Sequence, residues 1–187
     1  MSTREYLKNL ITDRNIASIT PTSKKGVEGI CRKIDFSKKM VLVEYGPATG
    51  VFTEYILKRM TPDSMLIAIE LNANFVQYLH DNFNDERLKV HHDNAGNIRD
   101  VMAEHGVESA DYVLSGIPFT LLSVEDRRDV IRKTSEALKE GGKFLPYQTF
   151  FQKDEHLKIY LKEHFHDVQD KYLFRNIPPM RVYDATK

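Results

Sequence analysis

The sequence of 187 residues holds a single cysteine, Cys31. That excludes an internal disulfide and leaves no paired-cysteine spacing for zinc, so no metal is expected. No apolar run approaches the roughly 20 residues of a bilayer-spanning helix. The opening Met1-Ser2-Thr3-Arg4-Glu5 lacks the apolar stretch of a signal peptide. Internal repeats and low-complexity linkers are missing as well. These absences, with ordinary apolar content, favour one cytoplasmic domain over residues 1–187.

Net charge is also lacking, because 27 Lys/Arg balance 27 Asp/Glu. The balance hides an asymmetry. Residues 1–39 carry nine Lys/Arg against four acids, while the remainder carries eighteen against twenty-three. A basic N-terminal segment on an acidic body suits docking on phosphates, of lipid headgroups or of nucleic acid; a solvated basic face is the plain alternative.

What the chain does have is alternation. Residues 2–14 read as an amphipathic helix with Tyr6, Leu7, Leu10 and Ile11 on one face. Pro21-Thr22-Ser23 breaks the chain before a helix across 24–35. Strands are then expected at 40–44, 65–69, 87–91, 110–114 and 143–150. The helices between them fall at 51–60, 73–83, 95–105, 124–139 and 154–164. Asn72 suits an N-cap, Ser123 and Asp126 suit a helix start, and Gly141-Gly142 is expected to stop the helix before it. A hairpin over 168–174 and 180–184, joined through Pro178-Pro179, closes the chain. The pattern predicts an α/β fold, a mostly parallel seven-stranded sheet with an antiparallel C-terminal strand and helices on both faces. Residues 1–39 form a basic helical extension to it.

Ligands of such sheets bind beyond the carboxyl ends of the strands, and four strand ends carry suggestive residues. After the first comes Glu44-Tyr45-Gly46-Pro47-Ala48-Thr49-Gly50, a tight glycine loop entering a helix. Such a loop lets backbone N–H groups approach a ligand closely. Glu44 adds a carboxylate that a plain phosphate site would avoid, so a ligand cationic at one end is favoured, and a methyl-donating sulfonium nucleoside fits. Glu70 ends the second strand, where an acid accepts both hydroxyls of a ribose. Asp93, within His92-Asp93-Asn94-Ala95, is placed to accept from an adenine amino group. Ser115-Gly116-Ile117-Pro118-Phe119 makes a stiff turn after the fourth strand. Separately each is explained by a turn or a cap; together they share one register. The dinucleotide fingerprint competes, but it asks for Gly-x-Gly-x-x-Gly, and here Ala48 takes the middle place while Glu44 would repel pyrophosphate.

These residues resemble the class I S-adenosylmethionine-dependent methyltransferases. Glu44 to Gly50 resembles the family's first motif, Glu70 its ribose-binding acid and Asp93-Asn94-Ala95 its adenine-binding segment; Ala48 departs from the usual glycine. The resemblance implies S-adenosyl-L-methionine as cofactor, with S-adenosyl-L-homocysteine as product. The candidate cofactor residues around the first loop are Glu44, Tyr45, Gly46, Pro47, Thr49 and Gly50. Those at the later strand ends are Glu70, Leu71, Asp93, Asn94, Ala95, Ser115 and Ile117.

Within the superfamily the chain is most similar to bacterial phospholipid N-methyltransferases, which methylate phosphatidylethanolamine. Ile19-Thr20-Pro21-Thr22-Ser23, Ser115 to Phe119, and Arg175-Asn176-Ile177-Pro178-Pro179 with Val182-Tyr183 carry that similarity. It implies a phospholipid substrate at an anionic membrane surface, a peripheral location on the inner face, and no stable nucleic-acid partner. The alternatives are a small-molecule methyltransferase and an enzyme similar to the rRNA adenine N6-dimethyltransferases. The latter share the Glu-x-Gly-Pro-x-x-Gly loop, but their catalytic turn begins with an amide where this chain has Ser115-Gly116. Their RNA-binding C-terminal domain also has no counterpart in the roughly 35 residues after Phe150.

Methyl transfer to an amine needs a neutral lone pair in line with the departing sulfur. His91 and His92 occupy neighbouring strand positions, so one at most faces the cleft; His80, His105, His164 and His166 fall on helix or loop surfaces. The candidate catalytic groups are therefore Ser115, Tyr147 and Tyr183, with Tyr45 as a further aromatic for a developing quaternary ammonium. Lys24, Lys25 and Arg181 are candidates for the substrate phosphate. The helix over 2–14 is expected to lie at the membrane interface or to cover the cleft.

Overall fold

The computed structural model describes residues 22–149, 156–174 and 179–187. The expected helix over 2–14, the Ile19–Pro21 part of the first turn and Arg175 to Pro178 lie outside them. The chain begins with α1 (Lys24–Cys31), whose N-cap Ser23 accepts from the Gly26 N–H. Strands and helices then alternate as β1 (Val41–Tyr45), α2 (Val51–Leu57), β2 (Met65–Glu70), α3 (Ala73–Asn82), β3 (Leu88–His92) and α4 (Ile98–Ala103). They continue as β4 (Ala110–Ser115), α5 (Val124–Ala137), β5 (Leu138–Thr149), α6 (Leu157–Lys162), β6 (Asp167–Leu173) and β7 (Met180–Thr186).

The sheet has seven strands in the order β3-β2-β1-β4-β5-β7-β6. β7 runs antiparallel to both of its neighbours, and the other pairings are parallel. The reversal of order between β1 and β4 opens the crevice that such sheets use for ligands. β1 and β2 read as nearly continuous apolar runs because both of their faces are covered.

Side chains alternate across each strand and so build two cores. One joins Val43, Tyr45, Ile67, Val113 and Phe144 to Ile98, Ile131, Leu157 and Leu161 of α4, α5 and α6. The other joins Leu42, Leu66, Leu114 and Leu145 to Val27, Ile30, Phe52 and Ile56 of α1 and α2. Deleting a ring such as Phe144 from a core of this kind costs about 3–5 kcal/mol.

Several expected boundaries move. The helix predicted over 124–139 ends at Ala137, four residues before Gly141. Leu138 is drawn into the sheet beside Ala110 and buried, so strand pairing overrides helix propensity. Gly141 instead serves an irregularity inside β5, with φ +73° and its N–H donated to the Lys187 carbonyl. The helix expected over 95–105 divides into a 3-10 turn at Ala95–Asn97 and the short α4. The caps fall as expected: Asn72 accepts from the Asn74 N–H, and Ser123 from the Asp126 N–H.

Candidate functional site

The sheet order brings the ends of β3, β2, β1 and β4 side by side, and with them the four motifs. Backbone bonds lock them together. The Gly46 N–H donates to the Ile69 carbonyl at 2.9 Å, the Gly116 N–H to the Tyr45 carbonyl at 3.0 Å, and the Asp93 N–H to the Glu70 carbonyl at 3.1 Å.

The loop after β1 depends on its glycines. Gly46 has φ +66°, and a Cβ there would sit 3.0 Å from the Ile117 methyl. Gly50, at φ +76°, is the N-cap of α2; a Cβ there would lie 2.5 Å from the Phe83 ring. Between them Ala48 adopts φ +50°, the left-handed region that disfavours a side chain. Its N–H donates to Glu70 Oε2 at 3.0 Å, while the Asn72 N–H donates to Oε1 at 2.9 Å. A carboxylate offers about four acceptor sites, so these bonds leave it capacity for a further donor.

Glu44 and Glu70 are both buried. Glu44 accepts from the Thr53 hydroxyl at 2.7 Å. Burial pushes its carboxyl up to about 7, against the opposing Thr53 bond and with a further push from Glu70. Burial also raises Glu70, against the bonds from Asn72 and Ala48 and the neighbouring His92. Among the described residues no lysine or arginine forms an ion pair with either acid. Two buried carboxylates without a cation fit a ligand that brings its own positive charge.

At β3, Asp93 Oδ1 accepts from the Asn94 N–H and the Asn97 amide, and Asn94 accepts from the Gly96 N–H. Leu71 is exposed beside this segment, and His92 Nε2 bonds the Leu71 carbonyl at 3.0 Å. His105 proves half-buried, with its Nε2 2.7 Å from His91 Nε2. That pairing turns the His91 ring towards α4 and away from Glu44.

The structure separates the catalytic candidates. Ser115 Oγ is buried with no hydrogen-bond partner among the described residues, at the end of β4. Tyr147 lies on the opposite face of the sheet, stacked near Phe52 with ring centroids 4.9 Å apart. Its hydroxyl crosses above Gly116, where a Cβ would sit 2.4 Å from that oxygen. Burial and the Glu44 carboxylate push the hydroxyl far up, so it stays protonated at neutral pH. Thr22 hydrogen-bonds it, which ties the start of α1 to the crevice. Sequence reasoning missed Thr22, Phe52 and Thr53; the helical spacing after Gly50 held the signal for the last two.

Three expectations need correction. The Tyr45 ring points into the core, with its hydroxyl 3.0 Å from Thr134 Oγ1 and its edge against Phe144. Only its backbone reaches the loop, because Glu44 and Tyr45 alternate across the strand. Tyr183 is fully buried, and the Arg181 guanidinium lies 5.0 Å from its ring centre, so that face already carries a cation. Arg181 in turn donates from Nε to Asp170 at 2.8 Å and is not a free site for phosphate. Lys24 and Lys25 are exposed on the first turn of α1.

Comparison with known proteins agrees with this geometry. Residues 42–142 match the model of a family described as methyltransferase domain. Over 176 residues the chain is 29% identical to an ornithine lipid N-methyltransferase of Singulisphaera acidiphila, covering 90% of this chain and 86% of the relative. Two solved structures share the fold. One is a precorrin-6y C5,15-methyltransferase of Geobacter metallireducens, at TM-score 0.71 and 15% identity over 88% of this chain and 90% of that one. The other is a 1,6-didemethyltoxoflavin-N1-methyltransferase of Burkholderia thailandensis with bound S-adenosylhomocysteine, at TM-score 0.70 and 13% identity over 98% and 86%. The family match spans more than half of the sequence and takes in β1 to the first residues of β5: the chain belongs to the methyltransferase domain family and is a class I S-adenosylmethionine-dependent methyltransferase related to the lipid N-methyltransferases.

Proposed function

We propose that the chain methylates the primary amine of a membrane lipid headgroup, with phosphatidylethanolamine or an ornithine lipid as acceptor. The observation that carries the proposal is the likeness to an ornithine lipid N-methyltransferase along nearly the whole chain. Both headgroups present a primary amine on a diacyl anchor.

S-adenosylmethionine supplies an activated methyl on a cationic sulfur. Glu70 holds the ribose hydroxyls, and Asp93 with Asn94 and Ala95 holds the adenine, flanked by Leu71 and Ile117. The backbone from Gly46 through Pro47 and Thr49 to Gly50 lines the crevice. Glu44 provides the negative potential that a cationic ligand needs. The bound cofactor would supply its methyl by cleavage of the carbon–sulfur bond as the carbon–nitrogen bond forms, and the lipid ammonium would first have to lose one proton to solvent. The Tyr147 hydroxyl, which lies over Gly116 in the turn after β4, orients that nitrogen as a hydrogen-bond group. It does not act as a base, since it is held protonated. Lys24 and Lys25 face the headgroup anion.

The RNA alternative is weaker at one position. An adenine amine needs an amide acceptor in the turn after β4, and Ser115-Gly116 supplies none. The proposal is tested by incubating the protein with methyl-labelled cofactor and vesicles containing either aminolipid. Label in the N-methyl headgroup supports it; a lipid fraction without label sinks it.

A further inference from the structure

The large apolar side chains that remain exposed are not scattered. Among the described residues they are Leu71, Leu121, Val124, Ile159, Tyr172 and Phe174. Each lies at the carboxyl end of a strand or in the turn or short helix that follows. Leu71 follows β2, Leu121 and Val124 follow β4, Ile159 is in the first turn of α6 after β5, and Tyr172 and Phe174 end β6. β6 points the same way as β5, because both are antiparallel to β7, so its end shares the edge on which the cofactor crevice opens. The opposite edge of the sheet has none of them. Leu71 is accounted for by the adenine segment, and the other five are not.

These five sit along one edge, on elements that touch one another. Val124 is one helical turn before Arg128, which bonds Glu163 at 2.8 Å and lies over the Tyr160 ring on α6. Lys158 of α6 pairs with Asp170 of β6, one alternation before Tyr172. Tyr172 and Phe174 stack, with ring centroids 5.9 Å apart and Phe174 75% exposed. Leu173, between them, turns to the other face, 3.0 Å from where a Gly29 Cβ would stand. That contact brings in α1, where Lys25 lies one turn before Gly29. Lys24, Lys25 and Lys171 are exposed on this α1 side of the same edge, and none of them forms an ion pair among the described residues.

We propose that this rim is a bilayer-docking surface: Leu121, Val124, Ile159, Tyr172 and Phe174 enter the interfacial layer of an anionic membrane while Lys24, Lys25 and Lys171 meet its phosphates. Exposed apolar groups gathered at a site's mouth mark an interaction surface. Aromatic rings beside lysines are the composition that suits the headgroup region. The occupant follows from charge and place. The unpaired cations call for an anionic partner, and an acceptor amine held in a lipid sheet has to enter through this mouth. The inference deepens the lipid-amine reading and rests on it for its purpose, but it concerns residues that take no part in the chemistry.

The test is flotation of the full chain with phosphatidylcholine vesicles, with and without phosphatidylglycerol. It compares wild type, the pair Tyr172→Ser with Phe174→Ser, and the pair Leu121→Ser with Val124→Ser. All four side chains are exposed, so thermal unfolding and cofactor affinity are expected to stay at wild-type values. Methylation of a short-chain aminophospholipid dissolved as monomer is expected to stay there too. Affinity for anionic vesicles should fall by about fivefold or more in each pair, and wild-type binding should weaken as salt rises. A smaller loss in both pairs overturns the docking surface, even if vesicle lipid is still methylated. Loss of vesicle binding without any lipid methylation leaves the surface standing and removes the acceptor reading instead.

Discussion

The Glu70 carboxylate accepts the backbone N–H of Ala48 at 3.0 Å, so the end of β2 holds the loop that leaves β1. The bond falls on the one residue of that loop that has a side chain and a positive φ. Glu70 therefore braces a strained loop, and in the proposed function it also takes the ribose.

Glu70→Ala removes both. A hydrogen bond to a charged group is worth about 1.5–3 kcal/mol, so cofactor affinity should fall at least tenfold by titration calorimetry. Glu70→Gln keeps an acceptor oxygen and should lose less. Equal affinity in wild type and Glu70→Ala would show that the acid does not hold the nucleoside.

Ala48→Gly should leave the protein as stable or more so. The left-handed conformation costs an alanine about 1–2 kcal/mol, and the extra freedom of glycine in the unfolded chain returns about 0.4–1 kcal/mol of that. Thermal unfolding is expected to shift upward by a few degrees at most, with cofactor binding retained. A clear drop in stability would mean that the alanine methyl makes a contact of its own.

Gly50→Ala should behave in the opposite way. Its Cβ would meet the Phe83 ring at 2.5 Å at a φ that strains any side chain. Overpacking and strain together predict a loss of about 2–4 kcal/mol, read in denaturant unfolding.

Much of this was legible in the sequence, for a local reason. Apolar runs such as Met65–Ile69 mark covered parallel strands, and Gly46 and Gly50 mark a turn whatever surrounds it. The start of β5 was not legible, because Leu138 joins the sheet through Ala110, a partner 28 residues away. The fate of Arg181 was hidden in the same way, since its carboxylate lies on the neighbouring strand. Tyr45 was readable after all: strand alternation puts it opposite Glu44, and position in the motif drew it wrongly to the cofactor side.

The Glu44 carboxyl gives a pH prediction. Its folded value is raised to about 7 from an ordinary 4.5, so the native state holds a proton that the unfolded state has released. Stability of the cofactor-free protein from this group is therefore full below about 4.5 and declines as pH rises towards 7. Binding of a cation favours the ionised form, so cofactor should bind more tightly at pH 8 than at pH 6 and release a proton at pH 6. Calorimetry in buffers of different ionisation enthalpy reads that proton. Glu44→Gln should flatten both dependences.

The central claim is the identity of the methyl acceptor. The most direct measurement compares initial rates of label transfer from S-adenosylmethionine to four acceptors in parallel: phosphatidylethanolamine vesicles, ornithine lipid vesicles, unmodified ribosomal RNA and small soluble amines. The account predicts label on the headgroup nitrogen of at least one lipid, at a rate well above that for RNA or free amines. Label confined to RNA or to a soluble amine would contradict it.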